Sequence, residues 1–359
     1  MASDILCAML MVIFGAGASY DSIDLSAAGR SGAVLRDDYR PPLAANLLDD
    51  RPGLVASALA DYPQAAVIAS EVRASFGQRD IESVFDEYLH RCSEERVGRQ
   101  LMALRYYLRW LMTECSREWP RQFHGVTNSG FLLDLIERTS PPEVLLVTLN
   151  YDTLIEQALH RVFAWTRVSF DSYVDGRYKL VKPHGSVDWG RVVNIRWDGT
   201  ANPEQAVIEQ ATTALTGATE NFVLSTGSSD SNGQLVMPAL AIPLHLPGSF
   251  ECPAEQQLLL RTSLREVDRV LAIGWRGAET RLNLLLADKQ QGLRRSVPFD
   301  IVSVGVADAL ETARNLHDGG VSSDFRFCSD GYSGFLRRAA ATGHLPTHAD
   351  FAAFDVPLL

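Results

Sequence analysis

Cysteine is scarce: five residues, at positions 7, 92, 115, 252 and 328 of a 359-residue chain. No two form a CxxC pair, which excludes a zinc ribbon or a thioredoxin-type motif built from sequence neighbours. Reduced thiols in a cytoplasmic protein are the simplest reading, and no metal is expected. Long hydrophobic runs are missing too. None approaches the roughly 20 apolar residues of a bilayer-spanning helix, so no membrane segment is expected. The apolar stretch 5–14 follows Asp4, lacks a basic flank and runs straight into glycines, so it reads as a buried strand rather than a leader. Positive charge is also short, with 33 Lys and Arg against 44 Asp and Glu, a formal net charge of -11. That argues against a broad basic surface gripping nucleic acid and leaves room only for a local basic pocket.

With 46% hydrophobic and 21% charged residues, the composition is that of a globular protein. Its pattern is strand, glycine or polar turn, helix, repeated. "EVLLVTLNYD" (143–152), "RVLAIGW" (269–275) and "FDIVSVG" (299–305) are apolar strands that each lead into a helix. The expected fold is α/β, Rossmann-like, a mostly parallel sheet with helices on both faces. One domain over 1–359 is the economical organisation, with a helical insertion at about 53–140 and an irregular insertion at about 190–240. Within the helical insertion Val97, Leu101, Leu104, Leu108, Leu111 and Met112 step by three and four, which predicts one apolar stripe on a long helix.

Four short motifs stand at strand ends, where open α/β sheets present ligand-binding groups. The first is Gly15, Ala16, Gly17, Ala18, Ser19: small residues that let a backbone approach a pyrophosphate, or simply a tight turn. A dehydrogenase fingerprint would place a third glycine at position 20, which is Tyr20. In the second motif Asn150 precedes Asp152, which could serve only as a helix cap; a polar amide at a strand end still needs partners. The third, "KPHG", sets His184 before a glycine, either as a local structural residue or as a base. The fourth, "IGWRGAE", offers Gly274, Trp275 and Glu279 as a plain βα turn or as a second approach to a nucleotide.

In this order, "GAGAS", "RPPLAANLL" (40–48), "DIESVFDEYL" (80–89), "TLNYDTLIE" (148–156), "KPHGSVDW" (182–189) and "IGWRGAE" (273–279) resemble the sirtuin family, in its bacterial branch associated with anti-phage defence. The resemblance implies an NAD+ site: the GAGAS turn around the pyrophosphate, Asn150 and His184 as catalytic residues at the nicotinamide ribose, and Asp152 near the nicotinamide pocket. The protein deacylases of that family carry a four-cysteine zinc module and a Pro-Asp-Phe-Arg-like stretch, for which this chain has "DSIDLS". These departures turn the expectation toward an NAD+ glycohydrolase that depletes NAD+ as a regulated effector. The alternatives are a protein deacylase or ADP-ribosyltransferase, and a non-catalytic NAD+ or ADP-ribose sensor. Expected partners are further copies of the chain and a separate regulator such as a HerA-like ATPase.

Overall fold

Alternation within one hexapeptide sets the layers. A computed structural model describes residues 9–22, 37–49, 51, 54, 59–75, 81–122, 127–139, 143–200, 202–225, 227–230, 232–241 and 250–354. Residues 5–8 of the expected first strand, and Asp80 of the "DIESVFDEYL" motif, lie outside the described residues. In strand β1 (Met9–Phe14) every side chain is buried. Leu10, Val12 and Phe14 join one apolar core, whereas Met9, Met11 and Ile13 join another on the opposite face. A strand covered on both faces has no polar positions to spare, which is why it reads as a continuous apolar run.

The parallel strands beside it are β2 (Glu143–Thr148) and β3 (Tyr178–Val181) on one side, then β7 (Val267–Ile273), β8 (Val297–Val302) and β9 (Ser323–Cys328) on the other. The short β10 (Ala352–Ala353) closes the β9 edge antiparallel, giving a seven-stranded sheet of order β10-β9-β8-β7-β1-β2-β3. Chain order runs outward from β1 to β3 and again outward from β7 to β9. The direction therefore reverses between β1 and β7, the kind of place at which open α/β sheets bind ligands beyond the strand ends. Helices cover both faces: α5 (Asn128–Thr139), α6 (Leu154–Phe163) and α13 (Gly331–Thr342) on one, α10 (Ala254–Ser263), α11 (Thr280–Ala287) and α12 (Val306–Asp318) on the other. The mostly parallel α/β sheet expected from the sequence is the observed one.

Between β1 and β2 the chain forms the short α1 (Ala16–Tyr20), then α2 (Pro63–Ser75), α3 (Ile81–His90) and the long α4 (Glu95–Arg121), before α5. All six stripe residues of α4 are buried, but so are Gln100, Arg105 and Arg109 on its other faces. The expectation of a single apolar stripe needs correcting: α4 shares one core with α2 and α3 and also with Val187, Val193, Met237 and Leu240 of a second sheet. Arg109 is tolerated there because it donates to the Gly227 carbonyl (3.0 Å), Ser228 (3.1 Å) and Glu204 (3.2 Å).

That second sheet corrects the other expectation. Residues 190–240, read as irregular, hold most of an antiparallel sheet of order β5-β4-β6, made of β4 (Gly185–Val193), β5 (Ala218–Leu224) and β6 (Val236–Leu240). The same stretch also holds two short helices, α8 (Pro203–Glu209) and α9 (Ala211–Thr216), joined at Gln210. The remaining helix, α7 (Asp171–Val174), packs against β3. β5 buries none of its residues fully, and β4 is bulged against both neighbours, so neither shows the clean alternation that marks a strand in sequence.

Candidate functional site

The two glycine turns meet at the β1/β7 reversal. Gly15 donates its N–H to the Ile273 carbonyl and Gly17 donates to the Gly274 carbonyl, both at 3.0 Å. A Cβ at Gly15 would lie 2.4 Å from the Gly274 oxygen, and Gly274 itself has φ +58. Only glycines allow backbones this close. These two amides therefore face the turn-to-turn junction, and a phosphate at the turn has to be met by other donors. Tyr20, at the dehydrogenase-glycine position, sits under the Arg40 guanidinium (4.8 Å), which also lies 5.0 Å from the Trp119 ring. The "RPPLAANLL" motif and α4 are in this way tied to the first turn.

From the end of β2, Asn150 reaches back to that turn. Its amide nitrogen donates to the Gly15 carbonyl and to Ser19 Oγ, each at 2.8 Å. Both amide hydrogens are thus committed, and Oδ1 is the atom left to accept from a ligand. Ser19 in turn donates to Asp152 Oδ2 at 2.6 Å, while Asp152 Oδ1 accepts from the Leu154 N–H at 3.0 Å. The N-cap position falls to Thr153, whose side chain makes no cap bond, so Asp152 stands one residue before the cap expected of it; its carboxylate accepts the first helical N–H and also fixes Ser19. Burial pushes the Asp152 carboxyl up, against the opposing pull of Lys182, Ser19 and the Leu154 amide. Ser19→Ala removes one of these supports, so the Asp152 carboxyl is expected to rise further, read by carboxyl NMR titration.

Lys182 has the role that sequence reasoning missed. It is wholly buried, and its ammonium donates to the Asp152 carbonyl (2.5 Å), Glu156 Oε1 (2.8 Å) and Ser186 Oγ (2.8 Å). All three ammonium hydrogens are used, binding the β2–α6 loop to the β3–β4 turn. In that turn Gly185 takes φ +84, and a Cβ there would meet the Ala239 carbonyl at 1.9 Å. Gly185→Ala is expected to cost about 1–2 kcal/mol from the backbone alone, with the collision on top, measurable in a urea melt. The signal in the sequence was a lysine inside "KLVKPHG", which reads equally well as an exposed edge residue.

His184 sits beside this network, half-buried, its Nδ1 3.1 Å from the Leu149 carbonyl. A carbonyl can only accept, so Nδ1 carries the hydrogen and the lone pair lies on Nε2. The His184 carbonyl accepts from Ala241 N–H (2.9 Å) and the Pro183 carbonyl from Glu251 N–H (2.8 Å), which hold the turn in place. The Tyr151 ring is 6.5 Å from the imidazole, and its hydroxyl donates to the Ala241 carbonyl. Trp275 Nε1 donates to Glu279, and Thr312 Oγ1 donates to the Trp275 carbonyl at 3.0 Å, so the second glycine turn is braced from within and by α12. Asn150, Ser19 and Asp152 form one hydrogen-bonded chain. Gly274 packs directly on the Gly15–Ala18 backbone, while His184 joins through Leu149.

Among the described residues no group of three or more His, Cys, Asp or Glu side chains is placed to hold a metal ion, and no helix is long and apolar enough to cross a membrane. Cys115 is a core thiol that burial pushes up to about 12.

No curated protein matches the chain. Among solved structures it is similar to a Sir2 homologue mutant in complex with ADP ribose (15% identity, 95% of this chain and 98% of that chain covered, TM-score 0.38). A Sir2 homologue triple mutant with 2'-O-acetyl ADP ribose gives 14% identity, 93% and 92% coverage and a TM-score of 0.39. Sir2Tm bound to a propionylated peptide gives 13%, 93% and 93%, and 0.38. Over residues 144–237, the stretch that carries Asn150, Asp152, Lys182 and His184, the chain matches the family model described as SIR2-like domain.

Proposed function

We propose that the chain hydrolyses NAD+ to nicotinamide and ADP-ribose. One observation carries the reading: Asn150, after β2, spends both amide hydrogens on Gly15 and Ser19, so that a rigid acceptor, Oδ1, stands beside the glycine turn with His184 anchored on the same loop. The bond between ribose C1 and the nicotinamide nitrogen breaks with its electron pair going to the ring, which leaves neutral. The sugar develops oxocarbenium character. Asn150 Oδ1 accepts a hydrogen bond from a ribose hydroxyl or from the attacking water. His184 Nε2 takes a proton from that water as its oxygen bonds to C1. Ser19 and Asp152 hold Asn150 still, and a fixed dipole needs no reorganisation as charge develops. Ala16, Ala18 and the second turn, Gly274 to Glu279, line the dinucleotide's approach in this reading.

The SIR2-like match over the segment with Asn150 and His184 supports an NAD+-using site. In the cell the activity would be an effector of anti-phage defence, held in check by self-association or by a HerA-like ATPase in the cytoplasm. The test is to incubate the purified chain with NAD+, alone and with the ATPase, and to resolve products by chromatography. Nicotinamide release without an acyl peptide is expected, and Asn150→Ala is expected to reduce it about 100-fold or more while remaining folded. Release that requires an acetyl-lysine peptide would transfer the chain to the deacylase reading, and NAD+ binding without any product to the sensor reading.

A further inference from the structure

Behind the Asn150–Asp152 loop, on the side of α4 and α6, lies a cavity of about 600 Å³ that the dinucleotide reading leaves unused. Four arginines line it, Arg117 and Arg121 from the end of α4, Arg161 from α6 and Arg167 from the segment after it, against a single acidic lining residue, Asp188. In a chain of net charge -11 this is a local concentration of the opposite sign. The two α4 arginines are held only by carboxylates of their own helix. Arg117 and Arg121 both pair with Glu118, each at 2.8 Å, and Arg117 also pairs with Glu114, the two arginine side chains being 52% and 66% exposed. Pairs made by largely exposed guanidiniums contribute little, so a phosphate can take the guanidiniums over at small cost. Asp188 differs. It is buried, pairs with Arg167 through Oδ2, and leaves Oδ1 without a hydrogen-bond partner. An unpartnered buried acceptor in a cationic cavity calls for a ligand with both negative charge and a hydrogen-bond donor.

We propose that this cavity binds a nucleoside polyphosphate, its phosphates on the arginines of α4 and α6 and a ribose hydroxyl or base amine on Asp188. The volume suits one nucleotide. The site is coupled to the loop in front of it. Ser116 and Thr153 both line the cavity, the Thr153 N–H donates to Ser116 Oγ at 3.2 Å, and Gln157 donates to the Ser116 carbonyl at 2.9 Å. A ligand bridging α4 and α6 tightens this junction one residue away from Asp152. The inference rests on the cavity alone and stands or falls independently of NAD+ cleavage.

The test uses the full chain with ATP and with inorganic pyrophosphate as probes, by isothermal titration calorimetry. One ATP per chain is expected, bound about tenfold or more tightly than pyrophosphate. Affinity is expected to fall about tenfold or more in both Arg117→Glu/Arg121→Glu and the milder Arg117→Gln/Arg121→Gln, and to stay unchanged in Arg138→Glu, an exposed arginine elsewhere. Amide exchange over 150–157 is expected to slow when ATP binds. The proposal is overturned if ATP does not bind saturably, if both double variants bind it as the wild type does, if pyrophosphate binds equally well, or if exchange over 150–157 is unaltered.

Discussion

Lys182→Met is expected to destabilise the protein by about 3–5 kcal/mol, the cost of leaving a buried charge without its partner. Lys182 is 0% exposed and Glu156 only 6% as side chains, the pair is made through Glu156 Oε1, and Oε2 has no hydrogen-bond partner. Methionine matches the volume but cannot serve the Glu156 carboxylate, the Asp152 carbonyl or Ser186 Oγ. A double variant, Lys182→Met with Glu156→Leu, is expected to recover much of the loss, because the cost lies in the orphaned charge more than in the missing attraction. The pH dependence has a definite sign. Burial raises the Asp152 carboxyl above its ordinary 3.8, and Lys182 is the largest influence holding it down. A carboxyl whose folded value is raised destabilises the fold when ionised, and that penalty vanishes below the unfolded value. Without Lys182 the penalty grows, so the gap between wild type and variant is widest near neutrality and narrows as pH falls toward 3.8. Urea melts across that range check both statements. A single variant within 1 kcal/mol of wild type at pH 7 would show that the network carries no such energy.

What could be read in advance follows from the range of the forces involved. The parallel sheet was legible because strands buried on both faces must be apolar throughout and must end in turns, as "MLMVIF" and "EVLLVT" do. The placement of Asn150 and His184 just beyond strand ends was legible because a polar side chain there stands out against an apolar background. The antiparallel sheet was not, since β5 exists through pairing with β4 across a distance in sequence that periodicity does not span. Arg105 and Arg109 fall on the polar face of α4 by periodicity, yet both are buried because the second sheet closes over that face. Lys182 escaped for the same reason. Its meaning depends on Glu156 and Ser186, which only the folded chain brings within hydrogen-bonding distance.

His184→Ala is expected to reduce NAD+ turnover about 10²–10⁴-fold, the usual contribution of a positioned general base. The loss should fall on kcat more than on KM, because in the proposed role the imidazole accepts a proton in the transition state and contributes little to ground-state binding. Two further readouts separate this role from a structural one. If Nε2 is the base, the acidic limb of the pH–rate profile disappears in the variant, whereas a merely distorted site would keep the limb at a lower rate. His184→Gln puts an amide in the volume of the ring. It can still donate toward the Leu149 carbonyl, which His184 Nδ1 contacts at 3.1 Å, but it cannot take up a proton. It should therefore melt like the wild type and turn over like His184→Ala. Recovery of activity in His184→Gln would mean that the residue only orients the Leu149–Asn150 backbone. Asn150 would then be the sole side chain acting on the substrate, and the water would have to lose its proton to solvent.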